Sequence, residues 1–170
     1  MKRSLVFLSL VMFTAVFLSC RCQQETAIPV DLAVAEAAVK TTMNRFWQSF
    51  ETGDIELVAE VMAHDPELVI LGTDAAERWV GYEEFRTAME QQFAAIETMQ
   101  MSLQDEVFKV HDSGKVAWYS GIADAKGISL GEDFEIAGLR STAVLEKRDA
   151  TWVIVQYHGS VPVASQLVEY

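Results

Sequence analysis

Cysteine is nearly absent from this chain of 170 residues: only Cys20 and Cys22 are present, both close to the N-terminus. From residue 23 onward there is therefore no disulfide framework, no cysteine metal site and no cysteine nucleophile. Histidine is also scarce. His64, His111 and His158 lie too far apart to show metal-ligand spacing, so neither a metal nor a cofactor is expected. No glycine-rich phosphate loop, nucleophile elbow, internal repeat or low-complexity segment is found. Basic residues form the third shortage, with 13 Lys and Arg against 25 Asp and Glu for a formal charge of −12. Such a balance does not suit nucleic acid or anionic headgroups as partners, and the scattered acids read as a solubilising surface. Long apolar runs reduce to one, Leu5 to Leu18, which is shorter than the roughly 20 residues of a membrane-spanning helix.

That run, preceded by Lys2 and Arg3, has the layout of an export signal. Ser19 directly before Cys20 resembles a bacterial lipobox, which implies lipidation of Cys20 as the mature N-terminus, although Phe17 departs from the usual leucine. An ordinary secretory signal with incidental cysteines is the plainer alternative. The expected organisation is a signal peptide at 1–19, a lipidated tether at 20–30 and one domain at 31–170. Losing Lys2 and Arg3 and no acid, the mature chain would move to −14. The expected location is a bacterial membrane, facing the periplasm or exterior.

Within the domain, Asp31 reads as the N-cap of an amphipathic helix carrying Ala35, Val39, Met43, Phe46, Trp47 and Phe50, stopped by Gly53. Asp54 caps a second, short helix that ends at His64-Asp65-Pro66. Glu67 to Thr73 reads as a strand, and Tyr82 to Ile96 as a third helix. Strands follow at about Met99–His111, Lys115–Lys126 and Phe134–Lys147, with turns at Asp112–Gly114 and Gly127–Asp133. Helices followed by long antiparallel strands make an α+β pattern.

The last strand, Trp152 to Ser160, places a histidine in an otherwise apolar run. By two-residue alternation Trp152, Ile154, Gln156, His158 and Ser160 share one face, and Val153, Val155 and Tyr157 the other. The first face turns polar toward its end, as at the lip of a pocket.

The Gly53-Asp54 break, Leu71-Gly72-Thr73-Asp74, Trp79-Val80-Gly81, Val116-Ala117-Trp118, Arg140 to Leu145 and the final strand together resemble the nuclear transport factor 2-like superfamily. Within it the chain is similar to SnoaL-like domains related to the association domain of calcium/calmodulin-dependent kinase II. The resemblance implies a cone: three N-terminal helices packed on a curved, mostly antiparallel sheet. It implies less about activity, because this fold hosts isomerases, dehydratases, binding modules and oligomerisation hubs. Ketosteroid isomerase-like members place a tyrosine and a base where this chain has Phe46 and about Ile70, neither of which can move a proton.

Candidate site residues follow. His158 is either the polar tip of the cavity or a structural histidine. Asp74 is either its acid–base partner or the cap of a turn. Arg140 either grips a carboxylate or pairs with an acid of the protein. Trp47, Trp79, Trp118 and Tyr119 are either an aromatic cavity wall or core. Three functions remain open: a small-molecule binding domain with an apolar cavity, a SnoaL-like enzyme using Asp74 and His158 on a carbonyl substrate, or an interaction module. A homodimer through the exposed sheet face, with Tyr157 and its neighbouring valines on it, is the expected assembly.

Overall fold

The computed structural model describes residues 30–163. The expected signal peptide and the lipidation site Cys20 lie outside the described residues. Helix α1 (Leu32–Thr52) begins where the Asp31 carboxylate accepts from the backbone N–H groups of Ala33 and Val34. It ends at Gly53, whose φ of 63° is the left-handed turn that glycine adopts without strain. Asp54 repeats the capping device for α2 (Ile55–Val61), accepting from Glu56 and Leu57. Two short strands come next, β1 (Val69–Leu71) and β2 (Arg78–Val80), and only then α3 (Tyr82–Ala95). The third helix is thus not N-terminal to the sheet: a small hairpin separates it from the first two. Arg148 grips the Asp65 carboxylate with both Nη atoms, 2.7 and 2.6 Å, and ties the end of α2 to the sheet. That hydrogen-bonded guanidinium holds the Asp65 carboxyl below the usual carboxylate range.

The remaining strands are long: β3 (Ile96–Val110), β4 (Val116–Ser129), β5 (Glu132–Arg148) and β6 (Thr151–Ser160). They form one six-stranded sheet in the order β2-β1-β6-β5-β4-β3, in which only the β1–β6 pair is parallel. The turn expected over Gly127–Asp133 is shorter than that. Gly127 pairs with Met99 and Phe134 inside the ladder, where a side chain would collide with the Thr98 carbonyl, so that glycine serves close packing and not a turn.

Four interruptions curl the sheet, the first at Glu97, between the Ile96–Ser129 and Thr98–Ile128 pairs. On β3, Asp105 and Glu106 lie opposite the single Gly121, and Asp105 takes a φ of 50°. On β5, Ala137 and Gly138 lie opposite Asp124, whose carboxylate accepts from Gly138 N–H at 2.8 Å. On β6, Leu145 pairs with Ile154 and Val144 with Gln156, which leaves Val155 without a partner. Beyond each interruption the two faces exchange parity. Trp152 and Ile154 are buried before Val155, whereas Tyr157 and Gly159 are buried after it. The strand faces expected from uninterrupted alternation are corrected accordingly: Tyr157 points in and His158 points out.

Candidate functional site

The inner face of the sheet can be read in transverse rows. One row is aromatic, Phe108-Tyr119-Ala143-Tyr157-Ile70-Trp79, and crosses all six strands. The next is Glu106-Gly121-Ser141-Gly159, small except for one carboxylate. A side chain at Gly121 would overlap the Tyr119 hydroxyl, and one at Gly159 would stand 3.5 Å from the Tyr157 hydroxyl. Both phenols therefore lean over the row of small residues, on either side of Ser141. Helix α1 covers them, with the Phe46 ring 5.0 Å and the Trp47 ring 6.1 Å from that of Tyr157.

Beyond this row the cone opens into a cavity of about 110 Å³. Its roof is Phe46, Trp47 and Phe50 of α1 with Phe85, Met89 and Gln92 of α3. Its floor is Met99, Met101, Ala125, Ile136, Leu139, Tyr157 and Gly159, and its rim is Gly72, Thr73, Glu77 and Trp79. No lysine, arginine or histidine is among these residues. The rim loop closes on the Glu77 carboxylate, which accepts from Thr73 N–H, Thr73 Oγ1 and Asp74 N–H. Burial pushes the Tyr157 and Tyr119 phenols above the ordinary tyrosine range, so both stay protonated at neutral pH.

The structure sorts the expected site residues into three groups. Trp47 and Trp79 line the cavity; Tyr119 is buried behind its floor, at 1 % exposure. Trp118 and Arg140 lie on the outer face of the sheet, Trp118 at 47 % exposure and Arg140 donating to the carbonyl of Val161 at 3.2 Å. His158 is on that outer face too, opposite Thr142 and exposed. Asp74 is exposed in the rim loop, where its carboxylate accepts from Ala76 N–H at 2.9 Å. No hydrogen bond joins Asp74 to His158, and neither lines the cavity. The structure does not bring His158, Arg140 and Asp74 together at the cavity; at His158 the reason is the unpaired Val155, which turns the end of β6 over. Phe46 and Ile70, at the isomerase positions, do line the cavity, with purely apolar side chains.

Sequence reasoning missed Tyr157, Ser141 and Glu106. Glu106 is the least expected, because one carboxylate oxygen is fully buried without a hydrogen-bond partner. The sequence held a signal for it: the apolar positions Met99, Met101 and Leu103 are odd, whereas Phe108 and Val110 are even. Such a change of parity announces an extra residue between them. Among the described residues no three histidine, cysteine or acidic side chains are grouped as a metal site.

A cone of helices on a curled sheet, with a small apolar cavity between them, defines a class of small α+β domains. Residues 39–164 match the SnoaL-like domain family model, and the chain belongs to that family. No curated protein is recognisably similar to it in sequence. Among solved structures it is similar to a nuclear transport factor 2-like superfamily protein from Salmonella enterica serovar Typhimurium, at 16 % identity and a TM-score of 0.71, over 81 % of this chain and 98 % of that one. A proposed dehydratase of the same fold from Streptomyces avermitilis aligns at 16 % identity and a TM-score of 0.69, over 78 % and 99 %. A proposed calcium/calmodulin-dependent protein kinase II association domain from Xanthomonas campestris aligns at 22 % identity and 0.63, over 81 % and 96 %. At these identities the likeness is one of fold.

Proposed function

We propose that this domain is a small-molecule binding module that takes a compact, mostly apolar molecule into the cavity between α1, α3 and the sheet. The carrying observation is the cavity itself, walled by aromatic and methionine side chains with few polar groups; at about 110 Å³ it is smaller than the roughly 300 Å³ or more of sites for drug-sized ligands and suits only a compact molecule. That volume is on the scale of one small ring, since an engineered apolar cavity of roughly 150 Å³ holds benzene. Met89, Met99 and Met101 give the wall some adaptability, because an unbranched thioether repacks easily. Catalysis by Asp74 and His158 is not part of this reading, as the cavity contains neither.

The test is a thermal-shift and calorimetric screen of small aromatics and ketones against the wild-type chain and Ala125→Trp, which would fill the cavity. Saturable binding that raises the melting temperature of the wild type and disappears in Ala125→Trp supports the reading. Equal behaviour of the two proteins sinks it.

Two further features belong to the same proposal. Export and lipid anchoring are supported by Lys2, Arg3, the Leu5–Leu18 run and Ser19-Cys20; metabolic lipid labelling that survives Cys20→Ala would overturn them. Homodimerisation through the outer face is supported by exposed Trp118, Val107 and Val116. The two central outer rows, Val107-Ser120-Thr142-His158 and Lys109-Trp118-Val144-Gln156, carry no acid, so two acidic chains can meet there without opposing carboxylates. Sedimentation of the wild type against Trp118→Glu tests this.

A further inference from the structure

Among the described residues that line the cavity, Glu77 alone is charged. Its carboxylate is built into the rim, because Oε2 accepts from Thr73 N–H at 2.6 Å, Asp74 N–H at 3.0 Å and Thr73 Oγ1 at 3.2 Å. Gly72 leaves room for it, since a side chain there would overlap the same oxygen. These three bonds close the rim loop and all fall on Oε2. Oε1 receives no hydrogen bond among the described residues and is not one of the buried atoms without a partner, so it stays accessible at the rim. Arg78, next in the chain, shares a row with Leu71 and His158 and so points to the outer face.

The rest of the cavity favours an occupant of the opposite charge. Six aromatic rings wall it, those of Phe46, Trp47, Phe50, Trp79, Phe85 and Tyr157. The faces of such rings carry negative charge density and attract a cation within about 6 Å of the centroid, tryptophan most strongly. Trp79 stands two residues from Glu77 on the same rim, with the Phe85 ring 5.9 Å away. Helix α1 reaches the cavity through Phe50 in its last turn, where no basic residue offsets the negative end of the helix dipole. Gln92 brings the last turn of α3, equally without a basic residue, to the same space. An anion would meet this field with no lysine, arginine or histidine on the lining to hold it.

Building on the binding function above, we propose that the occupant is a small organic cation, an alkylammonium with short apolar substituents, held by the Glu77 carboxylate and the Trp79 ring. The experiment is calorimetry on the full chain with four probes: choline, its uncharged isostere 3,3-dimethylbutan-1-ol, the anion 3,3-dimethylbutanoate, and benzene. Choline should bind about tenfold tighter than the alcohol, within the reach of a cation–π contact and one carboxylate, and the anion not measurably. In Glu77→Gln, which keeps an acceptor for the rim loop, and in Trp79→Leu the preference should shrink to about twofold while affinity for the alcohol holds, with circular dichroism checking that each variant is folded. On the wild type, which needs no variant to fold, raising sodium chloride from about 0.05 to about 0.5 M should weaken choline binding and leave the alcohol unaffected. Equal affinity for choline and the alcohol, binding of the anion, salt-insensitive choline binding, a preference that survives both variants, or benzene bound without choline overturns the cation assignment and leaves the cavity reading standing. Failure of all four probes overturns both.

Discussion

Tyr157 and His158 are adjacent in sequence and live in different surroundings. Tyr157 is 7 % exposed, packed under Phe46 and Trp47 beside the cavity, while His158 faces outward on the far side of the same sheet. The inner face carries the unpartnered polar atoms and the voids. The outer face carries the histidine, Arg140 and the exposed tryptophan that first suggest chemistry. The comparison teaches that residue type is a poor guide to a site in a curled sheet until the parity of each strand is known.

The contrast can be broken most severely at Ile154, the last inward residue before the unpaired Val155 and fully buried. Ile154→Ala should cost about 2–5 kcal/mol in chemical denaturation, through lost burial and the cavity left behind. At Gly121 an added methyl group must displace the Tyr119 hydroxyl. Gly121→Ala should cost about 1–3 kcal/mol by overpacking.

Titration sharpens the contrast between the faces, since the two inner phenols are held above the tyrosine range by burial. The folded state keeps them protonated, while the unfolded chain ionises them near pH 10. Their contribution is therefore complete below pH 10 and is lost as pH rises toward their folded values. Each group should remove about 1.4 kcal/mol per pH unit over that interval. Denaturation midpoints measured between pH 9 and 11 should fall less steeply in Tyr157→Phe than in the wild type. The smallest effect is expected at His158: His158→Ala should change stability by less than about 0.5 kcal/mol and leave ligand affinity unaltered. A large loss of binding there would return the site to the outer face.

Much of the fold was legible because its signals are local. Asp31, Gly53 and Asp54 each act within one helical turn, and the spacing of Val39, Met43, Phe46 and Phe50 states which face of α1 is buried. The short hairpin of β1 and β2 was only half visible, since β2 is held by pairing with β1 and not by its own three residues. The site was largely illegible for a related reason. Val155 lies in a run of ordinary strand residues and, among the described residues, is not one of the non-glycine positions with positive φ, which are Asp105, Leu130 and Asp149. Its bulge arises because Ile154 must meet Met62 and Ala63 while Tyr157 must meet Ile70, a tertiary demand that the local sequence does not record. Glu106 was hidden in Gln104-Asp105-Glu106, which resembles any solvated acidic stretch until the parity of its apolar flanks is compared.

The unpaired Val155 also governs how this chain can be matched to its distant relatives. A relative lacking that extra residue would place its inward group one position earlier in the strand, so superposition by sequence alone would equate an interior side chain with an exterior one. For such a relative, equivalent positions on β6 would be numbered from Ile154 backward and from Gln156 forward, as two separate segments.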